Sequence, residues 1–116
     1  MTKPKVLYVE DSAVVGQFLV DALSFEGVDA VLAEHAARAL EILDKEGDTF
    51  ALVLCDQSLP DTPGLELMRI IRERYPSMRL VLTTGFAGSD IESAAGEFDG
   101  LLPKPFDARD VVALLG

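Results

Sequence analysis

Carboxylate side chains follow two apolar runs of the chain. Glu10 and Asp11 come directly after the run VLYV at residues 6–9, and Asp56 comes directly after ALVLC at residues 51–55. Neighbouring acids repel each other and do not stabilise a strand, so their position points to a ligand. Oxygen ligands without a thiolate or an imidazole favour a hard divalent cation, and Mg²⁺ is the first candidate.

Groups suited to binding an anion follow two further apolar runs. Thr84 and Gly85 come after residues 80–83, and Lys104 comes shortly after residues 100–102. A hydroxyl, a backbone N–H beside a glycine and an ammonium group together can bind an anion. A metal and an anion site around one carboxylate are what phosphoryl transfer to an aspartate requires.

Each of these residues also has an ordinary structural interpretation. An acidic pair is usually solvated surface, an aspartate such as Asp56 can cap a helix or a loop, and a lysine such as Lys104 is a typical surface residue. The argument for a site therefore depends on their joint position, because every one of them falls at the end of an apolar run. His35 and Cys55 do not join this pattern, and we expect an exposed histidine and a buried core thiol.

The hydrophobic pattern alternates between short apolar runs and helical periodicity, which predicts five strand and helix pairs. The predicted strands are Lys5–Val9, Val28–Ala33, Ala51–Cys55, Arg79–Thr84 and Gly100–Leu102. The predicted helices follow Ser12, run from Ala36 to Gly47 and from Gly64 to Tyr75, cover Ser89–Ala95, and follow Asp107. This alternation predicts an α/β fold, a flavodoxin-like doubly wound five-stranded parallel sheet of order 2-1-3-4-5 with helices on both faces.

The predicted sheet explains where the acids lie. Ligands of open parallel sheets bind beyond the carboxyl ends of the strands, where the direction of winding reverses. Strands 1 and 3 are neighbours in this order, at a spacing of about 4.8 Å. The carboxylates of Glu10, Asp11 and Asp56 should therefore converge in one pocket, with Thr84 and Lys104 at the same edge.

Composition limits the functional classes. The 116 residues predict a single domain over residues 1–116, and 49% apolar residues predict a globular chain. Twenty acids against ten lysines and arginines give a net charge of −10, which disfavours nucleic acid and anionic membranes as partners. The lone cysteine and the lack of a long apolar segment predict a cytoplasmic protein.

Four motifs in this order resemble the receiver domain of two-component response regulators, across nearly the whole chain. They are VED at residues 9–11, DQSLPDTPG at 56–64, TG at 84–85 and KPF at 104–106. The resemblance implies a signalling switch in which a histidine kinase or a phosphotransfer protein phosphorylates Asp56. Such a domain is not an enzyme on other substrates, although it assists its own phosphorylation and dephosphorylation.

The resemblance also implies roles for individual residues. Asp11, Asp56 and the backbone carbonyl of Ser58 would bind Mg²⁺ directly, and Glu10 would hold the ion through water. The phosphoryl group would be contacted by Lys104, by Thr84 and by the backbone N–H groups of Gln57 and Gly85. The peptide bond between Lys104 and Pro105 is cis in the family.

Two departures from the family pattern bear on function. The switch residue is usually aromatic, and here it is Leu101, so the usual coupling between Thr84 and an aromatic ring is altered. The residues nearest the path of an attacking water are Ser58 and Phe86, and neither carries an acid or an amide. We therefore expect slow self-dephosphorylation.

Other interpretations remain open at this stage. A Mg²⁺-dependent phosphatase with an aspartyl nucleophile would need a second acid where Ser58 stands, and a flavodoxin-like electron carrier would need a glycine-rich loop where Glu10 and Asp11 stand. A degenerate receiver that serves only as a docking module would not need the intact site. We expect output through contact with a protein or a second copy of the chain, from a stand-alone regulator or the receiver of a hybrid kinase.

Overall fold

The computed structural model describes residues 3–85, 88, 91, 93, 94 and 96–115. The strands are β1 Lys5–Val9, β2 Asp29–Ala33, β3 Leu52–Asp56, β4 Leu80–Thr84 and β5 Gly100–Pro103. The helices named here are α1 Ala13–Phe25, α2 Ala36–Glu46, α3 Gly64–Arg74 and α4 Ala108–Leu115, and a 3₁₀ turn covers Gly47–Thr49.

All strands are parallel and lie in the order β2-β1-β3-β4-β5, as the sequence predicts. The register aligns their carboxyl ends, because Val9 pairs with Cys55, Cys55 with Leu82 and Leu82 with Leu101. The residues that follow β1, β3, β4 and β5 therefore meet at one edge of the sheet, and this edge carries the predicted site.

Two apolar layers cover the two faces of the sheet. Val53 and Cys55 of β3 belong to the layer that packs under α2 and α3, and Leu52 and Leu54 belong to the layer under α1 and α4. Every residue of β3 and β4 is buried. This burial on both faces explains why the central strands are continuous apolar runs rather than alternating ones.

The helix ends follow the predicted signals. Ser12 caps α1, since its hydroxyl accepts a hydrogen bond from the Val15 N–H at 3.3 Å. Gly27 ends the segment after α1 with φ of +77°, a left-handed conformation that favours glycine. Asp107 caps α4 by accepting hydrogen bonds from the N–H groups of Arg109 and Asp110.

The structure adds some details to the predicted elements. The 3₁₀ turn Gly47–Thr49 was not predicted, and β3 extends to include Asp56. Within the predicted helix Ser89–Ala95, the described residues Ile91, Ser93 and Ala94 have helical backbone, and the other four positions lie outside the described residues. Among the described residues, no helix combines the length and the apolar character needed to cross a bilayer.

Candidate functional site

Three carboxylates converge at the carboxyl edge of the sheet, as predicted. One oxygen from each of Glu10, Asp11 and Asp56 lies within 4.8 Å of the other two. Glu10 and Asp56 are buried, with 2% and 4% of their surfaces exposed, and Asp11 is exposed. Two buried acids and one exposed acid therefore form an open pocket that is reached from the side of Asp11.

Backbone hydrogen bonds hold the two buried acids in place. Glu10 follows β1 directly, and its N–H donates to the carbonyl of Ala33 at the end of β2, at 2.9 Å. Asp56 is the last residue of β3 and pairs with Thr83 of β4. The backbone of both residues is therefore fixed by the sheet, which keeps the two side chains at the same edge.

Lys104 reaches this cluster from the end of β5, the edge strand of the sheet. Its Nζ donates to Glu10 Oε1 at 2.9 Å and lies 3.3 Å from Asp56 Oδ1. Its backbone N–H donates to the carbonyl of Thr84 at 2.9 Å, and the Lys104–Pro105 peptide bond is cis. Burial alone would lower the pKa of Lys104, but the hydrogen bonds to and the charges of Glu10 and Asp56 together outweigh it, so the net pKa is raised and the ammonium stays charged.

The cluster carries more negative charge than this lysine neutralises. One ammonium pairs with two of the three carboxylates. The pKa of Asp11 is raised, chiefly by a hydrogen bond with Glu10 and further by partial burial and by repulsion from the Glu10 charge. Converging carboxylate oxygens with excess negative charge fit a hard divalent cation, so the residues present fit a Mg²⁺ ion.

Tyr8 is a part of the site that sequence reasoning missed. Its hydroxyl donates to Glu10 Oε1 at 3.3 Å, and the Ser12 N–H donates to Glu10 Oε2, also at 3.3 Å. Burial raises the pKa of the Tyr8 phenol, and the charges of Glu10 and Asp56 raise it further. The available signal was its position two residues before Glu10, which places both side chains on one face of the chain.

The predicted phosphoryl-binding groups have different surroundings. Thr84 is buried at the end of β4, and Gly85 is exposed in open space, where an added Cβ would meet no atom within 4 Å. The N–H of Gln57 donates to the carbonyl of Thr83 at 3.0 Å, and its side-chain Oε1 accepts from the Leu65 N–H. The backbone N–H of Gln57 thus already makes a hydrogen bond between β3 and β4.

Gly64 has a steric role that the sequence motif did not explain. A Cβ at this position would lie 2.2 Å from the carbonyl oxygen of Asp56, a distance that real Cβ atoms do not reach. Its N–H also donates to the carbonyl of Gln57 at 3.0 Å. The loop after β3 therefore turns back tightly against Asp56, and only glycine fits at its end.

Asp61 links the same loop to α2, which sequence reasoning also missed. Its two carboxylate oxygens accept hydrogen bonds from the N–H groups of Ala36 and Ala37 at 2.9 and 3.0 Å. Burial would raise the pKa of Asp61, but these two hydrogen bonds, together with one from its own backbone N–H and the nearby His35, outweigh it, so the net pKa is lowered. His35 is exposed at the start of α2 as predicted, and its Nδ1 accepts from the Arg38 N–H at 3.1 Å.

Of the remaining candidate residues, Ser58, Leu101 and Cys55 are described by the structure and Phe86 is not. Ser58 is exposed in the loop after Asp56, and Leu101 is half-buried against the layer under α2 and α3. Cys55 is fully buried in that layer, as predicted, and burial raises the pKa of its thiol. Phe86 lies outside the described residues.

An exposed apolar surface adjoins the pocket on α1. Val14, Phe18 and Phe25 are exposed by 82%, 77% and 93%. A groove of about 460 Å³ is lined by Phe18 of α1 together with Lys104 and Phe106. Lys104, whose ammonium pairs with Asp56, thus borders a surface of α1 that exposes large apolar side chains to solvent.

Comparison with known proteins gives the same family throughout. The family model described as "Response regulator receiver domain" matches residues 6–116. The chain is 36% identical to "DNA-binding transcriptional regulator NtrC" of Proteus hauseri over 99% of this chain and 24% of that protein. It is 34% identical to "Response regulator receiver protein CpdR" of Brucella abortus (strain 2308), over 93% of this chain and 90% of that protein.

The solved structures agree. The CheY-like response regulator receiver domain protein from Methanospirillum hungatei JF-1 superposes with a TM-score of 0.87 at 27% identity, over 96% of this chain and 89% of that one. The chain spans about a quarter to a half of the length of the curated relatives that it matches first, 24% of two and 46% of a third. The chain belongs to the receiver domain family of two-component response regulators, and its function is that of a phosphorylation switch.

Proposed function

We propose that the chain accepts a phosphoryl group on Asp56 from the phosphohistidine of a histidine kinase or a phosphotransfer protein. The observation that supports this most directly is the buried Asp56 carboxylate, which shares a 4.8 Å cluster with two other acids and lies 3.3 Å from the Lys104 ammonium. An Asp56 oxygen forms a bond to phosphorus while the bond between phosphorus and the donor imidazole breaks. The imidazole leaves with the electron pair of that bond and takes up a proton.

The residues around Asp56 act by position and charge. Lys104 neutralises the charge that builds up on the phosphoryl oxygens, and the Thr84 hydroxyl and the exposed Gly85 N–H donate hydrogen bonds to them. The Gln57 N–H takes part once it leaves or shares its bond to the Thr83 carbonyl. These groups belong to the chain itself, so it assists its own phosphorylation by a small donor such as acetyl phosphate.

Asp11, Asp56 and the Ser58 carbonyl are the direct ligands that we assign to Mg²⁺, and Glu10 holds the ion through water. The basis is the cluster geometry together with the excess negative charge. When bound, the ion neutralises carboxylate and phosphoryl charge. Metal-free protein should therefore be a poor phosphoacceptor.

The phosphorylated state signals through the carboxyl edge of the sheet. Thr84 and Leu101 lie on neighbouring strands and, by alternation from the paired residues Leu82 and Leu101, on the same face of the sheet. Leu101 has no polar atom in its side chain, so it follows a movement of Thr84 through packing alone. Output then goes to a protein partner or a second copy of the chain.

The exposed apolar surface of α1 is the surface that we assign to the phosphodonor. Phe18 is exposed and lines the groove together with Lys104, and Val14 is exposed on the same helix. A donor must bring its phosphohistidine to Asp56, so it covers the rim of the pocket, and burial of these side chains stabilises that complex. The net charge of −10 disfavours direct binding to nucleic acid or to anionic membranes.

Three further assignments complete the proposal. The chain is one domain over residues 1–116, and it works in the cytoplasm. The phosphoryl group is long-lived, because Ser58 and Phe86 offer no acid or amide to orient an attacking water. The phosphatase alternative gains no support, because serine stands at the position of its general acid.

Intact mass after incubation with acetyl phosphate and Mg²⁺ tests the proposal. The wild-type chain should gain one phosphoryl group, and it should gain none when the metal is chelated. Asp56→Ala should gain none under either condition, while Asp29→Ala, an exposed acid on β2, should behave as wild type. Phosphorylation of Asp56→Ala to the wild-type extent would refute the assignment.

A further inference from the structure

Glu10 is a buried carboxylate with three hydrogen-bond donors. Its Oε1 accepts from the Lys104 ammonium at 2.9 Å and from the Tyr8 hydroxyl at 3.3 Å, and its Oε2 accepts from the Ser12 N–H at 3.3 Å. One donor is a charged and flexible side chain, one is a phenol and one is backbone. These donors differ in how far they can move.

Lys104 cannot serve Glu10 and a phosphoryl group equally well. Its Nζ already lies between Glu10 and Asp56, at 2.9 and 3.3 Å. A phosphoryl group on Asp56 adds negative charge on that side and attracts the ammonium away from Glu10. Glu10 is 2% exposed, and a buried carboxylate that loses its charged partner is destabilised.

Tyr8 is held in place independently of Lys104. It lies within β1, where it pairs with Leu32 of β2 and Leu54 of β3. Its ring packs edge-on against Phe106, with a centroid distance of 6.3 Å and an interplanar angle of 79°. The hydroxyl therefore stays beside Glu10 when Lys104 moves.

We propose that Tyr8 is a positioning residue of the phosphoryl-transfer site, whose hydroxyl holds Glu10 when Lys104 leaves Glu10 for the phosphoryl group on Asp56. The inference rests on the proposed function of Asp56. Without the phenol, Glu10 keeps a stronger hold on Lys104, and the transfer step slows. Binding of the small donor should change little, because Tyr8 is 1% exposed and its hydroxyl contacts Glu10.

A pair of tyrosine variants tests this role. The chain has two tyrosines, and Tyr75 donates its hydroxyl to Asp44, away from the site. With acetyl phosphate and Mg²⁺, Tyr8→Phe should lower the maximal rate of phosphorylation about tenfold, with little change in the half-saturating donor concentration. Tyr75→Phe should keep the wild-type rate, and equal maximal rates in the two variants would overturn the proposal.

A double-variant cycle separates positioning from a general structural effect. In a Lys104→Ala background, Tyr8→Phe should cause less than a twofold further loss of rate, because the lysine that Glu10 retains is no longer present. A further loss of about tenfold would show that Tyr8 acts by another route, and it would also overturn the proposal. Thermal unfolding of each variant shows that the rates refer to folded protein.

A spectroscopic measurement decides the question without phosphorylation. The chain has no tryptophan, so in Tyr75→Phe the near-ultraviolet tyrosine absorption comes from Tyr8 alone. Adding Glu10→Gln to this variant should shift that absorption band, because the phenol loses its carboxylate acceptor. An unchanged band would overturn the role of Tyr8 even if the wild type is phosphorylated. If the wild type is not phosphorylated, the proposed function fails, and the band shift alone decides whether Tyr8 holds Glu10.

Discussion

The carboxyl and amino ends of the sheet differ in how fully their acidic side chains are neutralised. At the carboxyl end, the three acids Glu10, Asp11 and Asp56 lie together, and within the described part of the chain Lys104 is the one cation paired with them, through Glu10 and Asp56. At the amino end, acids are matched with donors: Asp44 pairs with Arg74 and accepts from the Tyr75 hydroxyl, and Lys5 pairs with Glu46 at 2.6 Å.

The larger of two cavities does not lie at the end of the sheet that carries the site. A cavity of about 590 Å³, lined in part by Asp44, Arg74 and Tyr75, lies at the amino end and exceeds the groove of about 460 Å³ beside Lys104. Its charged pairs already neutralise each other. Incomplete charge neutralisation therefore marks the functional end of this fold better than volume does.

The largest effect should come from the one ammonium of the carboxyl end. Lys104→Ala should slow phosphorylation by acetyl phosphate about 100-fold, because the charge on the transferred group loses its lysine. Arg74→Ala removes a paired cation at the amino end and should leave the rate unchanged. Rates from intact mass over time compare the two, and a loss of similar size in both would break the distinction between the ends.

Metal binding should separate the acids of the cluster. Asp11→Ala should weaken Mg²⁺ binding at least about tenfold, and Glu10→Ala should weaken it less, because we assign a direct contact to the first and a contact through water to the second. Isothermal titration with Mg²⁺ measures both affinities. The assignment fails if the two variants bind the ion equally well.

Asp99, a paired acid at the amino end, has its pKa shifted in the opposite direction to that of Asp11 in the cluster. Asp99 Oδ2 accepts from the Leu80 N–H at 2.8 Å and from Arg72 at 2.9 Å. Burial would raise the pKa of Asp99, but these two contacts lower it more, so the net pKa is lowered. A lowered folded-state pKa means that the stabilisation is present at neutral pH and is lost as the pH falls through that pKa.

Asp99→Asn should therefore lower the free energy of unfolding at pH 7 by up to about 1 kcal/mol, an upper bound because the partly exposed side chain is screened by solvent. The difference from wild type should begin to shrink below about pH 4, where the carboxyl of the unfolded chain becomes protonated, and it should disappear as the pH falls through the lower pKa of Asp99 in the folded protein. Urea unfolding at several pH values gives both quantities. A difference that stays constant from pH 7 to pH 3 would show that the charge of Asp99 is not what stabilises this end.

A buried hydroxyl at the carboxyl end offers a smaller effect. Thr83 pairs with Asp56 across the strands and is fully buried, and within the described part of the chain its hydroxyl has no hydrogen-bond partner. Thr83→Val keeps the shape and removes the polar atom, so it should raise the free energy of unfolding by up to about 1 kcal/mol. A decrease in urea unfolding would indicate a hydrogen bond that Thr83 makes in solution.

The smallest effect concerns the exposed acid of the cluster. In metal-free buffer, Asp11→Ala should raise the free energy of unfolding by about 0.5 kcal/mol, because removal of one charge relieves repulsion. Asp56→Asn should act in the same direction. Saturating Mg²⁺ should reverse the order of wild type and Asp11→Ala in thermal unfolding, and destabilisation by both variants without metal would contradict the excess of negative charge.

Local patterns were sufficient to predict the sheet and the residues at its carboxyl edge. Each strand is an apolar run, Asp56 follows its run directly and Lys104 follows its run after one residue, so parallel order alone brings them together. The contacts of Gly64 and Asp61 were not predictable in this way. Gly64 depends on how tightly the loop returns to the Asp56 carbonyl, and Asp61 caps a helix that begins 25 residues earlier.

Tyr8 shows the same limit inside a correctly predicted strand. The apolar run predicted its burial, but its hydrogen bond depends on the Glu10 rotamer, which Lys104 helps to set from 94 positions away. Propensity and periodicity describe neighbours along the chain, whereas such side-chain contacts depend on tertiary packing. The ligand set of the metal and the roles of Gln57 and Ser58 stay predictions for the same reason.

Chemical mapping of the phosphorylated residue tests the central claim most directly. Borohydride reduces an aspartyl phosphate to homoserine, so wild-type protein treated with acetyl phosphate and Mg²⁺ and then with borohydride carries a permanent mark at the acceptor. Peptide mass mapping should find homoserine at position 56 and unchanged aspartate at positions 11 and 61. Homoserine at position 11 or 61, or at no position in protein that has gained phosphoryl mass, would contradict the assignment of Asp56 as the phosphoacceptor.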